Sequence, residues 1–546
     1  MKKTTKLLAL LLALCMMVSV LAACSSKDDG GASDPGTSAG DNAPSSPDTD
    51  KNDDAQPSGG DETPEAERDT TLTVGVTSAN NTHDPLALNS AMYQTDSLFE
   101  ALFRMNVDTQ EVEPWLAESY EFLDDLTLQI RLRQDVYFTD GQQMTADDVL
   151  CSYRDVGAVM SATYYSCYDF DNFEVLDDFT INFKFYEKYS PALAWMSNTA
   201  IYCADDILNG ASDADKWMSA PNGTGPYYCV ENVAASHVTY ARKSADQYWG
   251  ELPACTQVTF KYYSETTTMF IDFESGNLDV ANLISTVDAE RVLAGDCPDF
   301  TGYVVKPYND VLLIVLPEET AAFDDIRVRE AFFKSVDAGS AAMAVYGSLY
   351  MKADSILPST LTKYYESQPQ VEYDPDGAKA LLAEAGYPDG VSLRLIVTAD
   401  IKEMAEALQG SLAVGGFNVS VESYDFGTAI PMLRNMESDF VVTQTVDGAF
   451  AYEPSQAIPI TWGPNSTYKP VGMDAPEWAE NFSLALTTDG DERVEAYHKL
   501  QEWAASEYRF LPVCERVGVT IYNTDKLASF TLRVANRPVA QCAEFK

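Results

Sequence analysis

A change in composition near residue 70 divides this chain into two parts that cannot fold in the same way. Residues 25–70 contain no aromatic residue and no Val, Ile, Leu or Met, and consist largely of Gly, Ser, Pro, Ala, Asp, Asn and Glu. Such a stretch cannot bury enough apolar surface to offset the entropy that it would lose on ordering. We therefore predict a disordered acidic tether, and we expect the folded part of the protein to follow it.

The residues before the tether have the order of an export signal. Lysines in the first six positions are followed by a mostly apolar run and then by small residues that lead into Cys24. The apolar run is shorter than the roughly 20 residues that span a bilayer, so residues 1–23 are predicted to be a signal peptide that is removed on export.

Residues 21–24 (LAAC) resemble the lipobox of bacterial lipoproteins. This resemblance implies that Cys24 becomes the first residue of the mature chain and carries acyl groups. Two or more acyl chains hold a soluble domain durably to a bilayer, so we expect the protein on the outer face of the cell membrane. Ordinary secretion, with Cys24 an unmodified thiol, is the alternative.

The acidity of the chain argues against one class of partner. Asp and Glu number 84 against 36 Lys and Arg, which gives a formal net charge of −48. Phosphate binding depends on clusters of Lys and Arg, so nucleic acid is not an expected partner. Acidic lipid surfaces would also repel the chain, which suits a domain held off the membrane by a tether, although general solubility is the plainer explanation.

Cysteines and histidines give little support for metal or redox chemistry. Eight of the ten cysteines lie beyond Cys24, and both disulfides and buried free thiols stay open for them. No C-x-x-C occurs, so neither a zinc knuckle nor a thioredoxin-type redox pair is indicated. The three histidines form no H-E-x-x-H motif and have no evident nucleophile partner. We expect no catalytic residue, no cofactor and no metal site.

Hydrophobic periodicity predicts a mixed α/β fold. Residues 126–132 and 179–185 alternate apolar and polar side chains, as half-buried strands do. Two further predicted strands, 393–397 and 418–421, bracket a helical stretch at about 401–414. This β-α-β order predicts that the two strands pair in parallel.

The sequence also indicates where two helices begin and where one of them ends. Asp374 is a suitable N-cap, Pro375 suits the first helical position, and Gly386 is a suitable residue to end the helix. Thr145 and Asp148 have the spacing of a capping box at the start of another helix.

Short motifs follow one another in order along the folded part. They are 113–120 (EPWLAESY), 138–149 (FTDGQQMTADDV), 222–227 (NGTGPY), 248–250 (YWG), 275–279 (SGNLD), 325–331 (DIRVREA) and 374–388 (DPDGAKALLAEAGYP). Each motif alone is a weak signal. In this order they resemble the bacterial extracellular solute-binding proteins of family 5, the oligopeptide, dipeptide and nickel receptors of ABC importers.

The resemblance implies a two-lobed α/β fold of the periplasmic-binding-protein type, type II, in which two crossing strands join the lobes. Ligand would bind in the cleft between the lobes, and closure would be a hinge motion. The implied boundaries are lobe I at 71–306 and 509–546, with an inserted subdomain at about 90–205, lobe II at 307–508, and crossings near 311–315 and 511–519.

For peptide binders of this family, an aspartate in a pattern like W-x-A-D-Y-x-D-P pairs with the α-amino group of the ligand. Residues 444–454 (QTVDGAFAYEP) align with that pattern and place Asp447 at the aspartate. A partly desolvated ammonium needs such a carboxylate partner. Gln444 replaces the tryptophan, Gly448 replaces the tyrosine, and two extra residues precede Glu453, which leaves non-peptide ligands open.

Other candidate ligand residues lie near Asp447 or in the first loop. Gln444, Thr445 and Val446 offer main-chain hydrogen bonds to an extended ligand, in the manner of an added strand. Tyr452, Trp462 and Tyr468 offer aromatic faces that line side-chain pockets or stack on a sugar. His83 lies in the loop after the first strand, a region that faces the cleft in relatives.

The sequence thus favours a lipid-anchored, monomeric receptor that delivers oligopeptides or dipeptides to the transmembrane subunits of an ABC permease. The same role for a sugar, an opine or a metal chelate is the first alternative. A surface protein that uses this scaffold for signalling or adhesion is the second.

Overall fold

The computed structural model describes residues 70–78, 82–86, 96–157, 165–210, 214–445, 452–455, 475–533 and 538–546. The predicted signal peptide, Cys24 and the predicted tether up to residue 69 lie outside these ranges.

The strands of the described residues are numbered in chain order. They are β1 Thr71–Val76, β2 Phe103–Met105, β3 Val112–Pro114, β4 Ala117–Asp124, β5 Thr127–Leu132, β6 Glu174–Asp177, β7 Thr180–Lys184, β8 Tyr227–Val233, β9 His237–Arg242, β10 Gln257–Tyr262, β11 Val280–Ala281, β12 Thr301–Val315, β13 Tyr350–Lys352, β14 Val391–Thr398, β15 Phe417–Tyr424, β16 Val441–Gln444, β17 Phe510–Asn523, β18 Leu527–Phe530 and β19 Ala543–Phe545.

The α-helices are numbered in the same way. They are α1 Ala146–Cys151, α2 Ala192–Met196, α3 Ala204–Gly210, α4 Ala214–Ser219, α5 Thr266–Glu274, α6 Thr286–Ala294, α7 Ile326–Lys334, α8 Ala338–Tyr346, α9 Pro375–Glu384, α10 Lys402–Gly415, α11 Phe426–Arg434, α12 Pro476–Thr487 and α13 Gly490–Ser506.

A nine-stranded mixed sheet organises the fold. Its order is β16-β12-β17-β11-β1-β10-β9-β8, and β13 pairs with β17. The two longest strands, β12 and β17, are antiparallel neighbours within it. A separate four-stranded sheet has the order β4-β5-β7-β6, and β14 and β15 form a parallel pair. The mixed α/β fold predicted from the sequence is confirmed.

The predicted helix caps are confirmed in detail. The Asp374 carboxylate accepts the Gly377 N–H at 2.9 Å at the start of α9, and Gly386 follows that helix with φ +97°. The Asp148 carboxylate accepts the Thr145 N–H at 2.8 Å in the capping box of α1. These side chains satisfy amide groups that the first turn of a helix leaves without a partner.

The β-α-β unit also forms as predicted. Strands β14 and β15 pair in parallel with Leu393 opposite Val419, and helix α10 connects them. The buried face of α10 includes Met404, Leu408 and Leu412, which pack into the same core as the strands. Burial of this apolar face, more than local propensity, is what stabilises such a helix.

The apolar cores fall on either side of the two long strands. Alternate residues of β12 enter different cores, so that Leu312 packs with α7 and α10 while Leu313 packs with α12 and α13. Two further cores consist mainly of residues that precede β12 or follow residue 516, and one of them also includes Leu349. A fifth core lies within residues 102–203 and includes the four-stranded sheet. The lobe boundaries given above stay a prediction.

The eight cysteines beyond Cys24 are all described, and each is a free thiol. Burial raises the pKa of Cys203 and of Cys255 to about 11, so both thiols stay protonated at neutral pH. Among the described residues, every helix is too short or too polar to cross a bilayer.

Candidate functional site

The pairing of β12 with β17 is interrupted at the middle of the main sheet. The register shifts between Pro307 and Val311, so Tyr308, Asn309 and Asp310 leave the ladder of paired residues. We call these three residues the β12 bulge. Bulges redirect side chains and are common beside functional sites.

Close packing on β17 accommodates the bulge. A Cβ atom added to Gly518 would lie 2.9 Å from the ring of Tyr308. Only glycine therefore allows the bulge to approach the opposite strand this closely.

Asn309 is the least ordinary residue of the β12 bulge. Its φ is +61°, a left-handed conformation that Asn tolerates better than most residues. The side chain is 2 % exposed, and Tyr452 is the one described residue whose side chain interacts with its amide. A buried amide with so few partners lowers stability, so this position is a candidate for contact with a ligand.

Asp310 and Arg516 form an ion pair beside Asn309. The Nε–H of Arg516 donates to Asp310 Oδ1 at 3.3 Å, and Nη2 donates both to Asp310 Oδ2 and, at 2.9 Å, to Gln444 Oε1. The guanidinium also lies over the ring of Tyr308, 4.6 Å from its centre. Burial disfavours the charge of Arg516, but Asp310 outweighs burial and raises the pKa of Arg516. The two charges therefore neutralise each other.

The end of strand β16 is held firmly against β12. Thr445 donates its N–H to the Val311 carbonyl at 2.9 Å, and its Oγ1 accepts the Val311 N–H at 2.8 Å. Gln444 pairs with Leu312. β16 is the last strand of the nine-stranded sheet, and β14 lies beside its start through a parallel bridge between Leu395 and Phe440. The contacts of Thr445 therefore fix the far end of β16.

The short described segment 452–455 lies against the β12 bulge. Tyr452 is buried with φ +49°. Burial raises the pKa of Tyr452, and the neighbouring Asn309 side chain opposes that rise. Tyr452 belongs to the core against which Met105 and Val107 pack, and the charge of Asp108 also acts on Tyr452. The bulge, segment 452–455 and the β2–β3 hairpin therefore meet at one place.

Glu453 anchors this segment through a buried ion pair. Its carboxylate accepts from Arg493 Nη2 at 2.6 Å. The other guanidinium nitrogens of Arg493 donate to the Tyr364 hydroxyl and the Ala485 carbonyl, both at 2.7 Å. Glu453 is the acidic residue of the predicted motif, and its role in the structure is to hold the loop rather than to meet a ligand.

Polar contacts join residues 102–203 to segments between 353 and 510, among them Thr362 Oγ1 to Gln110 Oε1 (3.3 Å) and four others. We call them the bridging contacts. The other four are Gln110 Nε2 to the Thr360 carbonyl (2.8 Å), Lys188 to Asp489 (2.6 Å), Ser190 N–H to the Leu486 carbonyl (2.8 Å) and Trp195 Nε1 to Ser455 Oγ (3.2 Å).

His83 occupies a core position instead of a cleft surface. Its imidazole is 1 % exposed, Nδ1 donates to the Trp217 carbonyl at 2.8 Å, and Nε2 accepts from the Tyr240 hydroxyl at 2.9 Å. Burial lowers the pKa of His83 to about 4. This arrangement explains His83 as a neutral, structurally paired histidine, so the sequence-based expectation of ligand contact has no support from its surroundings.

The other predicted ligand residues divide into two groups. Gln444, Thr445 and Tyr452 come together with the β12 bulge. Val446, Asp447, Trp462 and Tyr468 lie outside the described residues. Within the described ranges, no group of three or more His, Cys, Asp or Glu side chains is arranged to hold a metal ion.

Sequence reasoning missed Asn309, Asp310 and Arg516. One signal was present, because Asn309 and Asp310 directly precede the crossing strand predicted near 311–315, and both residue types are disfavoured in strands. Such a pair favours turns and irregular backbone, and it marks the bulge.

The fold and the site define a class, the binding proteins of mixed α/β structure that hold a small solute. The model of bacterial extracellular solute-binding proteins, family 5, middle region, matches residues 111–468, which is more than half of the chain. The protein therefore belongs to the bacterial extracellular solute-binding proteins of family 5. These are non-catalytic, extracellular proteins that deliver a small solute to an ABC transporter.

Individual relatives are distant but extensive in coverage. Heme-binding protein A of Haemophilus influenzae is 27 % identical over 411 residues, which cover 67 % of this chain and 74 % of the relative. The dipeptide-binding protein of Escherichia coli is 25 % identical over 376 residues, 63 % of this chain and 69 % of the relative. The structure of a periplasmic binding protein from Helicobacter pylori in complex with the peptide STSA gives a TM-score of 0.73 at 21 % identity, covering 88 % of this chain and 99 % of that one.

Proposed function

We propose that this protein is a lipid-anchored receptor that binds peptides and passes them to the permease subunits of an ABC importer. The observation that carries the peptide assignment is the geometry of β16. The end of this strand is clamped to β12 at Thr445, two residues before Asp447, and beyond Phe440 no strand of the described residues pairs with its outer side. A strand with an open side offers main-chain groups to an extended peptide, and Asp447 is the proposed partner of its α-amino group.

Two relatives support this ligand class by what they are named for, since one is a dipeptide-binding protein and another was solved with a tetrapeptide. A non-peptide solute is the second candidate. Other similar proteins were solved with Fe(III)-EDTA or with mannopinic acid, and the replacement of the motif residues at Gln444 and Gly448 favours such a change of ligand.

The ligand class is tested first by the protein as purified from its host. Mass spectrometry of the released ligand is expected to detect peptides, and pools of dipeptides to pentapeptides are expected to raise the melting temperature. No bound peptide together with no thermal shift from any pool would exclude the peptide assignment. An opine, sugar or metal chelate that gives a shift would support the second candidate.

The role of Asp447 is tested with Asp447→Asn and an N-acetylated copy of the best peptide. Loss of an ion pair in a partly buried site weakens binding strongly, by about 100-fold. Acetylation should weaken wild-type binding to a similar degree and should not weaken the variant further, because the same contact is lost. Asp425→Asn, at the exposed N-cap of α11, is the matched control and is expected to bind like wild type. Equal affinities for Asp447→Asn and wild type would contradict the proposal.

The lipid anchor is tested by Cys24→Ser. The variant is expected in the culture medium or the soluble fraction, whereas wild type is expected with the membrane and labelled by palmitate. Membrane association that survives the substitution would contradict the anchor.

We also propose that the lobes predicted at 71–306 with 509–546 and at 307–508 close around the ligand. Small-angle scattering is expected to show a monomer whose radius of gyration falls when peptide is added. A ligand drives closure only by binding the closed form better than the open form. An unchanged radius under saturating peptide would rule out the hinge.

A further inference from the structure

We infer that Gln110, at the tip of the β2–β3 hairpin, holds the ligand-bound form closed through its hydrogen bonds to the segment 358–362. We call these two hydrogen bonds the Gln110 latch. The inference rests on the proposed function, because it names the contact that slows release of the bound peptide. Gln110 acts in it as a positioning residue, without contact to the ligand.

Both polar atoms of the Gln110 carboxamide take part in the latch. Nε2 donates to the Thr360 carbonyl at 2.8 Å, and Oε1 accepts from the Thr362 hydroxyl at 3.3 Å. The sequence predicts Gln110 in lobe I and both threonines in lobe II. Because a carboxamide presents its donor and its acceptor side by side, the two bonds together fix how the hairpin meets the segment.

The backbone of Gln110 is the second observation. Its φ is +56°, a left-handed conformation that is costly for a residue with a side chain and that Gly adopts freely. The turn alone would therefore be more stable with Gly at this position. The Gln side chain offsets that cost through its contacts with segment 358–362.

The hairpin keeps its shape through hydrogen bonds of its own. The Asn106 side chain accepts the Asp108 N–H at 3.0 Å and donates to Glu113 at 2.9 Å. The Gln110 N–H donates to the Asn106 carbonyl at 2.9 Å. Since all these bonds lie within the hairpin, we expect the turn to present Gln110 in the same way when segment 358–362 is not in contact.

The segment that receives Gln110 is also held by its own side of the molecule. Glu515 on β17 accepts the Ser359 N–H at 3.0 Å and the Ser359 hydroxyl at 2.8 Å. Leu361 is fully buried in the core that contains α12 and α13. The latch thus joins two preformed surfaces, so closing it orders little more than one Gln side chain.

The latch is suited to open and close. Thr362 is exposed and Gln110 is partly exposed, so water can replace both hydrogen bonds when the two sides separate. The base of the hairpin is different, because Phe103 and Trp115 pack in the core within residues 102–203. We therefore expect the hairpin to move with that core and the latch to break first.

The hairpin tip lies beside a residue that is expected to contact ligand. The charge of Asp108 acts on Tyr452, and Met105 and Val107 pack against the core that includes Tyr452. Tyr452 is five residues after Asp447, the proposed partner of the peptide amine. The latch therefore closes beside the predicted ligand segment.

The test compares wild type with Gln110→Gly and Gln110→Glu. Dialanine, trialanine and tetraalanine are titrated by calorimetry, and stopped-flow tryptophan fluorescence follows release of the tightest binder to wild type. Both variants should bind about fivefold more weakly, mainly through faster dissociation, because the latch forms after the ligand has bound. Gln110→Glu should be at least as weak as Gln110→Gly, since it places a carboxylate oxygen against the Thr360 carbonyl.

Ala235→Gly is the matched control for the backbone. Ala235 has the same φ of +56° in the exposed turn between β8 and β9, so the substitution relieves the same strain away from the latch. It should change the melting temperature of the ligand-free protein by as much as Gln110→Gly does. It should leave peptide affinity as in wild type.

Thr362→Val tests the other half of the latch. It removes the hydroxyl that donates to Gln110 Oε1 and should weaken peptide binding by about twofold. Added to Gln110→Gly, it should weaken binding no further, because the contact is already lost. Additive losses in the double variant would mean that Thr362 acts on binding separately from Gln110, and this would contradict the latch.

Two other results would overturn the inference, and they differ from failure of the proposed function. If wild type binds a peptide and both Gln110 variants bind it as tightly as Ala235→Gly does, the latch fails while the proposed function stands. If Gln110→Gly instead lowers the ligand-free melting temperature below that of Ala235→Gly and leaves affinity unchanged, the contact is a permanent structural one. If wild type binds none of the three probes or the longer pools, the proposed function fails and takes the inference with it.

Discussion

Two buried polar clusters lie close to each other in this protein, and they differ in one respect. In the first, Arg493 donates from all three guanidinium nitrogens to buried partners, including Glu453. In the second, Asn309 is buried just as deeply, but among the described residues only the Tyr452 side chain interacts with its amide. Segment 452–455 contacts both clusters.

The difference separates a structural anchor from a recognition site. A buried polar network with every group satisfied fixes one conformation, and its loss is costly. A buried polar group with fewer partners than it can use lowers stability. The Arg493 cluster thus holds segment 452–455, and the β12 bulge leaves hydrogen-bonding capacity unused within the described residues. The predictions that follow test this contrast, beginning with the largest expected effect.

Glu453→Ala should remove the buried ion pair with Arg493 that holds segment 452–455. It leaves Arg493 buried without its counter-charge, and breaking a buried pair in this way costs about 3–5 kcal/mol of unfolding free energy. Urea denaturation followed by circular dichroism measures the loss. Glu406→Ala is the control, since Glu406 pairs with Lys402 along α10 with both side chains about half exposed, and it should cost less than about 0.5 kcal/mol. Similar losses in the two variants would remove the distinction between the clusters.

His83 extends the contrast to a titratable group that is buried and fully paired. Its pKa is lowered to about 4 by burial, whereas an unfolded histidine titrates near 6.5. The unfolded chain therefore binds the proton more readily between these two pH values. Stability from His83 is complete above about pH 6.5 and is lost as the pH falls toward 4.

The measurement compares wild type with His83→Gln at pH 8 and at pH 5. On this change of pH, wild type is expected to lose about 2 kcal/mol of unfolding free energy more than the variant, which lacks the titrating group. Other acidic groups titrate in both proteins, so the difference isolates His83. Parallel losses in the two proteins would mean that the imidazole is protonated in the folded state without penalty.

Asp374 is an exposed carboxylate that accepts a hydrogen bond, and it can be compared with the buried carboxylate of Glu453. Its carboxylate caps α9 by accepting the Gly377 N–H, and that bond lowers its pKa. Asp374→Ala should cost about 1 kcal/mol, the usual value for an N-cap, and Asp374→Asn should restore most of it. The comparison shows how much of the larger effect at Glu453 comes from burial. If Asp374→Ala lowers the unfolding free energy as much as Glu453→Ala does, burial does not explain the larger effect expected at Glu453.

The regular elements could be predicted from the sequence, and the β12 bulge with its neighbours could not. Alternation in 126–132 and the caps at Asp374 and Thr145 are local patterns, and local patterns specified β5, α9 and α1 correctly. The contacts of Asn309 and Arg516 depend on how strands 200 residues apart along the chain lie beside each other, which no window of sequence contains. His83 is a different case, because its position in the loop after the first strand suggested ligand contact, whereas tertiary packing buries it against Tyr240.

The smallest expected effect comes from the bridging contacts. It tests whether residues 102–203 separate from the segments between 353 and 510 when ligand leaves. Lys188 and Asp489 form a partly exposed pair between the two sides, and such a pair contributes about 0.5 kcal/mol. If the pair breaks whenever the lobes separate, Lys188→Met should weaken peptide binding by about twofold, mainly through faster dissociation.

Lys402→Met removes the same charge from a pair within one helix, so it should leave peptide affinity unchanged. The difference between the two variants should also disappear in 1 M salt, because screening there acts within about 3 Å. A difference that persists in high salt would mean that Lys188 acts through packing of its alkyl chain. Equal affinities for both variants at low salt would mean that the Lys188–Asp489 contact is kept throughout binding, and the hinge would then have to lie elsewhere than between residues 102–203 and the 353–510 segments.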